Sequence, residues 1–219
     1  MGPISHVHDT SQPIFILTLN PNNPANTTLL DESGNTIYTI RTLFDEKGVP
    51  TTSVHGENGK RVADWRWRDT RLSAQMLRFE GAGIGVGKIQ TMDANGRETV
   101  GGKGRVAASR WLRKCLVPFK STVVFEDLRG GEYKWKNNDP GLHLQLVSTL
   151  DTSSPIARFV PPTIDPKNTP VALAKLLLTD DAEDIMDEVV VSWALLEISK
   201  REKEVADGNR ISAGALVLV

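Results

Sequence analysis

Hydrophobic residues recur along most of the chain in short runs with a period of two, and only near the end does a longer run turn apolar in every direction. Residues 14–19 (IFILTL) have the composition of a buried strand, and the Asn-Pro-Asn-Asn-Pro that follows is strong turn chemistry. Residues 36–44 are rich in β-branched and aromatic side chains after a Ser33-Gly34-Asn35 turn. The pattern repeats over 49–54 after Glu46-Lys47-Gly48, which predicts a hairpin. Over 61–67, Ala63, Trp65 and Trp67 fall on one face and Val62, Asp64 and Arg66 on the other, so the tryptophans are expected to point inward. Residues 72–79 continue the meander. Asn26-Thr27-Thr28 is expected to be a turn.

From 81 to 105 the chain becomes glycine-dense, and the segment reads as a loop insertion. Residues 106–115 follow as a short helix. Short strands are expected over 122–126, 132–136, 142–147 and 156–160, each bounded by Gly, Pro, Asn or Asp, and a last one over 171–178. This spacing fits a barrel or sandwich rather than a βαβ fold. Thr179 then looks like a helix cap, with Asp180, Asp181, Glu183 and Asp184 at the positive end of the helix dipole. The predicted helix spans 180–204, with Lys200, Arg201 and Lys203 in its last turns and Gly208 as a stop. Between these ends Val189, Val190, Val191, Trp193, Ala194, Leu195, Leu196 and Ile198 cover nearly every direction around the axis. A helix apolar on all sides must be enclosed.

With 219 residues, 39% of them apolar and 24% charged, the chain has ordinary globular composition and the size of one β domain. That domain is expected over 14–208, between a flexible N-terminus (1–13) and a C-terminal tail (209–219) that is apolar from Ile211. A single cysteine, Cys115, and a start without a basic, apolar leader predict a reducing, cytoplasmic setting. The longest apolar stretch near the C-terminus is far too short to span a bilayer. Met1-Gly2 lacks the Ser or Thr at position 6 that a myristoylation motif needs, since His6 stands there. Net charge is −1, yet residues 60–120 carry 14 Lys/Arg against 5 Asp/Glu and the remainder 12 against 22. Such asymmetry marks a face for anionic partners or two surfaces that neutralise each other.

A β-meander followed by a helix hydrophobic on all sides resembles the tubby-like architecture. More specifically, the chain is similar to a fungal family of unknown function with a tubby-like (LURP-one-related, scramblase-like) fold. The residues that carry the resemblance are 17–28 with their Asn-Pro turn, Tyr38-Thr39-Ile40, Tyr133-Lys134-Trp135 and Asp187-Glu188-Val189-Val190-Val191. The resemblance implies a closed antiparallel barrel around a central hydrophobic helix, and it brings no established activity. By fold-level analogy it implies binding of anionic lipid headgroups at the membrane periphery.

The candidate surface for such a ligand is the basic set Lys60, Arg61, Arg66, Arg68, Arg71 and Arg78, in which Arg66 and Arg68 alternate away from the tryptophans. Lys103, Arg105, Arg110, Arg113 and Lys114 are candidates to extend it. The same residues suit an acidic protein partner, or a solvated face paired with acids. No aromatic platform interleaves with the cations, so no nucleic acid is expected. Gly81-Ala82-Gly83-Ile84-Gly85-Val86-Gly87-Lys88 fails as a phosphate loop, because Ala82 replaces the first glycine and Ile89 the metal-reaching hydroxyl. His6 and His8 have the spacing of a metal pair on a strand without further ligands to complete it. An enzyme would have to use His143 or Cys115, and neither has an assignable partner. The expectation is a non-enzymatic module without cofactor or metal. The alternative is a structural or protein-interaction module that uses the glycine-rich segment and the tail.

Overall fold

The computed structural model describes residues 15–67, 76–79, 91–92, 98–99, 105–115, 121–127, 129–165 and 170–215. His6, His8, Arg68, Arg71, Lys103, the glycine motif at 81–88 and the last four residues lie outside them.

The strands are β1 (Phe15–Asn20), β2 (Thr27–Leu30), β3 (Thr36–Phe44), β4 (Pro50–Gly56), β5 (Arg61–Arg66), β6 (Met76–Phe79), β7 (Thr91–Met92), β8 (Glu98–Thr99) and β9 (Arg105–Ala107). A one-turn helix α1 (Ala108–Trp111) leads to β10 (Arg113–Lys114), β11 (Val123–Glu126), β12 (Glu132–Lys136), β13 (Gln145–Ser148), β14 (Ala157–Val160), β15 (Thr163–Ile164), β16 (Pro170–Ala172) and β17 (Lys175–Leu178). A 3-10 helix (Asp180–Ile185) runs into the 30-residue helix α2 (Met186–Ala215).

The sheet is antiparallel, in the order β10-β11-β12-β13-β14-β17-β1-β2-β3-β4-β5-β6-β9-β7-β8, and β15 and β16 pair separately. β17, the last strand, lies between β14 and β1, so it joins a C-terminal meander to an N-terminal one. Among the described residues no pairing joins β10 to β8, so the closure that the resemblance implies is not seen there. Closure would need a continuous ladder of backbone N–H and C=O partners around the rim.

The enclosed helix is as the sequence predicts: Val189, Val190, Val191, Trp193, Ala194 and Leu195 are fully buried, and Leu196 and Ile198 nearly so. Strands of the C-terminal meander pack on it, and Tyr38 of the N-terminal one bonds to its first turn. Trp135 of β12 donates its Nε1–H to Ser192 Oγ at 2.9 Å, which satisfies two buried polar groups at once, and Phe159 of β14 lies 5.6 Å from Trp193 between ring centroids. Trp65, Trp111, Trp135 and Trp193 are the largest fully buried side chains; Trp65 of β5, and Trp67 just beyond it, are buried as expected.

Several local expectations are overturned. Asn26-Thr27-Thr28 is not a turn: Thr27 and Thr28 open β2, with Thr28 opposite both Asn20 and Thr39. Thr179 does not cap a helix, because its hydroxyl donates to the Ile156 carbonyl at 3.3 Å and the chain enters 3-10 geometry first. Gly208 does not stop α2, which continues to Ala215; a helix interior tolerates a glycine for about 1 kcal/mol relative to alanine. Lys200 and Arg201 therefore lie mid-helix. They flank the buried Glu197 at 3.4 and 2.8 Å, and they tie α2 to the Leu142 carbonyl and to Asn22. The glycine-dense stretch contributes the short β7–β8 hairpin to the sheet edge.

Candidate functional site

Strand register, rather than proximity in sequence, gathers cations on the outward face of β3 to β6. Ser53 stands opposite both Arg41 and Asp64, Asp64 opposite Arg78, and Arg78 opposite Arg105. One step along, Thr51 stands opposite both Leu43 and Arg66. A side-chain period of two puts both rows on the same face.

Asp64 lies beneath this face. Arg78 Nε donates to its Oδ1 at 2.7 Å and Arg61 Nη1 lies 3.7 Å away, so two guanidiniums cover one buried carboxylate. Arg66 bonds to Asp45 of the β3–β4 turn. The other oxygen of Asp45 accepts the Val49 and Lys47 N–H groups at 2.8 and 2.9 Å, and these bonds, with Arg66, hold its carboxyl below the ordinary value. Arg41 is exposed and has no partner among the described residues.

The sequence-predicted set therefore divides. Arg61, Arg66 and Arg78 share the face. Lys60 is exposed in the β4–β5 turn, about 20 Å along the strand from Arg66 at a rise of roughly 3.3 Å per residue. Arg113 pairs with Glu132 at 3.3 Å instead of extending the face. Arg41 was missed, although period two in β3 already places it opposite in direction to the buried Tyr38 and Ile40.

A second assembly sits where α2 begins, and it joins three of the segments that carry the family resemblance. Tyr38 of β3 donates its hydroxyl to Asp187 at 2.7 Å across 149 positions of sequence. Arg129, in the β11–β12 turn, reaches Asp184 at 2.6 Å. In the same turn the buried Asp127 accepts the Arg129 and Gly131 N–H groups at 2.9 and 2.7 Å, and Tyr133 of β12 donates to its other oxygen at 3.2 Å. Burial, with Asp127 beside it, pushes the Tyr133 phenol up to about 12.

Glu188 is buried among these groups. Burial, with Asp187 and Asp127 nearby, pushes its carboxyl up to about 7. The acids at the start of α2 thus fasten the helix to the sheet in addition to complementing its dipole. In the sequence Asp184 stood out as part of a charge run, and Asp187 and Glu188 as part of a motif that carries the resemblance. Asp127 gave no signal, and the role of Glu188 was not legible, because both depend on burial.

Gly131 makes the turn possible. A Cβ there would stand 2.9 Å from Asp127 Oδ2 and 3.0 Å from the Tyr133 hydroxyl. Gly131→Ala is therefore expected to cost about 1–2 kcal/mol in urea unfolding, the scale of overpacking a constrained site.

A cleft of about 310 Å³ opens beside this assembly, lined by Tyr133, Ser148, Leu150, Asp151 and Asp181 among others. Its charged walls are carboxylates, which would repel an anionic headgroup. Cys115 is half-buried, with its N–H bonded to the Thr122 carbonyl, and His143 is exposed. Among the described residues no three His, Cys, Asp or Glu side chains are placed to hold a metal ion, and no helix is long and apolar enough to cross a membrane.

Among curated proteins, none matches the chain. The X-ray structure of protein from Arabidopsis thaliana AT5G01750 aligns over 87% of this chain and 96% of that one, at 11% identity and a TM-score of 0.35. Residues 22–202, from the Asn-Pro turn through β17 and most of α2, match the family of unknown function DUF6593, and the chain belongs to that family.

Proposed function

We propose that this chain is a non-enzymatic, tubby-like module whose sheet encircles the central helix and whose arginine face on β3–β6 holds anionic lipid headgroups at a cytoplasmic membrane surface. The observation that carries the proposal is the cross-strand register, which sets Arg41, Arg61, Arg66 and Arg78 on one outward face of four successive strands. Guanidiniums in such an array bind phosphate oxygens bidentately. Their present acidic partners are no obstacle for Arg66: exposed ion pairs contribute only about 0–1 kcal/mol, and a doubly charged phosphate competes well for the same fork. Asp64 stays beneath Arg61 and Arg78 as the group that orients them.

The test is co-sedimentation with phosphatidylcholine vesicles, with and without phosphatidylinositol bisphosphate, across a salt series. Binding should require the anionic lipid and weaken steeply as salt screens it. Arg41→Glu/Arg66→Glu is expected to reduce it at least tenfold, with the thermal unfolding midpoint little changed because both side chains are on the surface. An acidic protein partner would use the same arginines. Absence of binding to any anionic vesicle would move the assignment to that partner.

A further inference from the structure

Beyond the arginine face, the β3–β4 hairpin runs past the core and ends in two large apolar side chains. β2 accompanies β3 only as far as Ile40. Leu43 and Phe44 lie beyond it and are 69% and 71% exposed. Leu43 belongs to the outward face. Phe44 has the inward parity of Tyr38 and Ile40, yet it has outrun the core that those two fill.

This exposure is imposed by a fixed base. The Thr42 hydroxyl lies 2.8 Å from that of Thr52 and 2.8 Å from the Ala25 carbonyl. The Trp67 indole N–H donates to Thr52 at 2.7 Å, and the Trp67 backbone N–H to the Pro50 carbonyl at 2.9 Å. Asp45 closes the turn with three bonds.

We propose that Leu43 and Phe44 insert into the apolar margin of an anionic bilayer and anchor the arginine face against it; this rests on the headgroup reading above. The two side chains stand exposed at the end of a hairpin that outruns β2, so a protein would need a matching socket, whereas a lipid interface accepts them without one. The charges around it fit the same partner. Arg41, Lys47 and Arg66 stand beside the apolar pair, Asp45 is taken up by the turn and by Arg66, and Glu46 is the other acid among the described residues of the hairpin end. Apolar side chains flanked by cations bind membranes through two additive terms, area buried in the acyl margin and attraction to anionic lipid.

All five tryptophans are at least nine-tenths buried, so a sixth at the tip reports on it against a shielded background. The full chain carrying Phe44→Trp would be mixed with phosphatidylcholine vesicles containing phosphatidylinositol bisphosphate, with and without lipids brominated high on the acyl chain. A blue shift and quenching of the added emission on binding are expected. In parallel, Leu43→Ser/Phe44→Ser should weaken vesicle binding roughly tenfold to a hundredfold, from the apolar area lost, while affinity for a soluble inositol phosphate stays unchanged. Arg41→Glu/Arg66→Glu should weaken both.

The inference is overturned if the serine variant binds vesicles like the wild type, or if the added tryptophan stays unquenched on bound protein; either result leaves the headgroup reading standing. Wild-type chain that binds no anionic vesicle overturns both. Self-association that disappears in the serine variant, with vesicle binding unaltered, would assign the tip to a second copy of the chain.

Discussion

Trp193→Ala is expected to lower the folding free energy by about 3–5 kcal/mol, measured by urea denaturation, because it empties the largest side chain on the enclosed stretch of α2. Trp193 is fully buried and packs against Phe159, and the stretch around it is buried on every side. The surrounding strands cannot collapse into the gap without breaking their ladder, so the cavity term adds to the lost transfer energy. Trp193→Phe separates ring volume from the polar atom. Nε1 of Trp193 is buried without an acceptor among the described residues, so removing that N–H relieves a desolvation penalty of about 1–3 kcal/mol and offsets the smaller ring. That variant should stay within about 1.5 kcal/mol of the wild type. Lys203→Ala, on an exposed position of the same helix, should change stability by less than about 0.5 kcal/mol. A small effect of Trp193→Ala, comparable with that at Lys203, would mean that α2 is not the centre of the fold.

The helix was legible in the sequence because eight apolar residues in ten leave no polar face to turn outward. The strands were legible where period two was uninterrupted, as in β3, β5 and β12. They were missed where turn formers border the strand: Thr27 and Thr28 follow Pro24, Ala25 and Asn26, and only the pairing of Thr28 with Asn20 and Thr39 makes them strand. End signals failed for a related reason. Thr179 and Gly208 have the right chemistry for helix boundaries, but a cap is decided by where the hydroxyl bonds, and the Thr179 hydroxyl goes to Ile156.

The arginine face was half legible. Composition and alternation picked out Arg61, Arg66 and Arg78, and register across four strands was needed to add Arg41 and to set Lys60 apart. Leu43 and Phe44 looked like ordinary strand residues. Nothing local says that β3 outlasts its neighbour.

Between pH 5 and 8 the stability of the chain should fall as pH rises, and Glu188→Gln should remove most of that fall. Burial raises the Glu188 carboxyl from 4.5 to about 7 in the folded chain. Between those values the folded chain holds a proton that the unfolded chain has released, so the linkage slope is negative. The stabilisation is complete below about pH 4.5 and is lost as pH rises through 7. A shift of that size amounts to a loss on the order of 3 kcal/mol by pH 8. The groups that face Glu188 set the sign. Asp187 on its own helix and Asp127 in the β11–β12 turn oppose its ionisation, and Arg129 in that turn favours it less strongly. The Tyr38 and Tyr133 phenols stay neutral throughout this window, since both are shifted upward. The lowered carboxyls of Asp31 and Asp45 act in the opposite direction, and only near and below pH 4. Glu202 is raised by partial burial, so the slope belongs to the difference between wild type and Glu188→Gln. In urea titrations at pH 5, 6, 7 and 8 the glutamine variant should match the wild type at the acid end and exceed it at pH 8. Parallel curves for the two proteins would mean that the Glu188 carboxyl is already ionised in the folded chain at pH 5, held by Arg129 or by water in the seat of the helix.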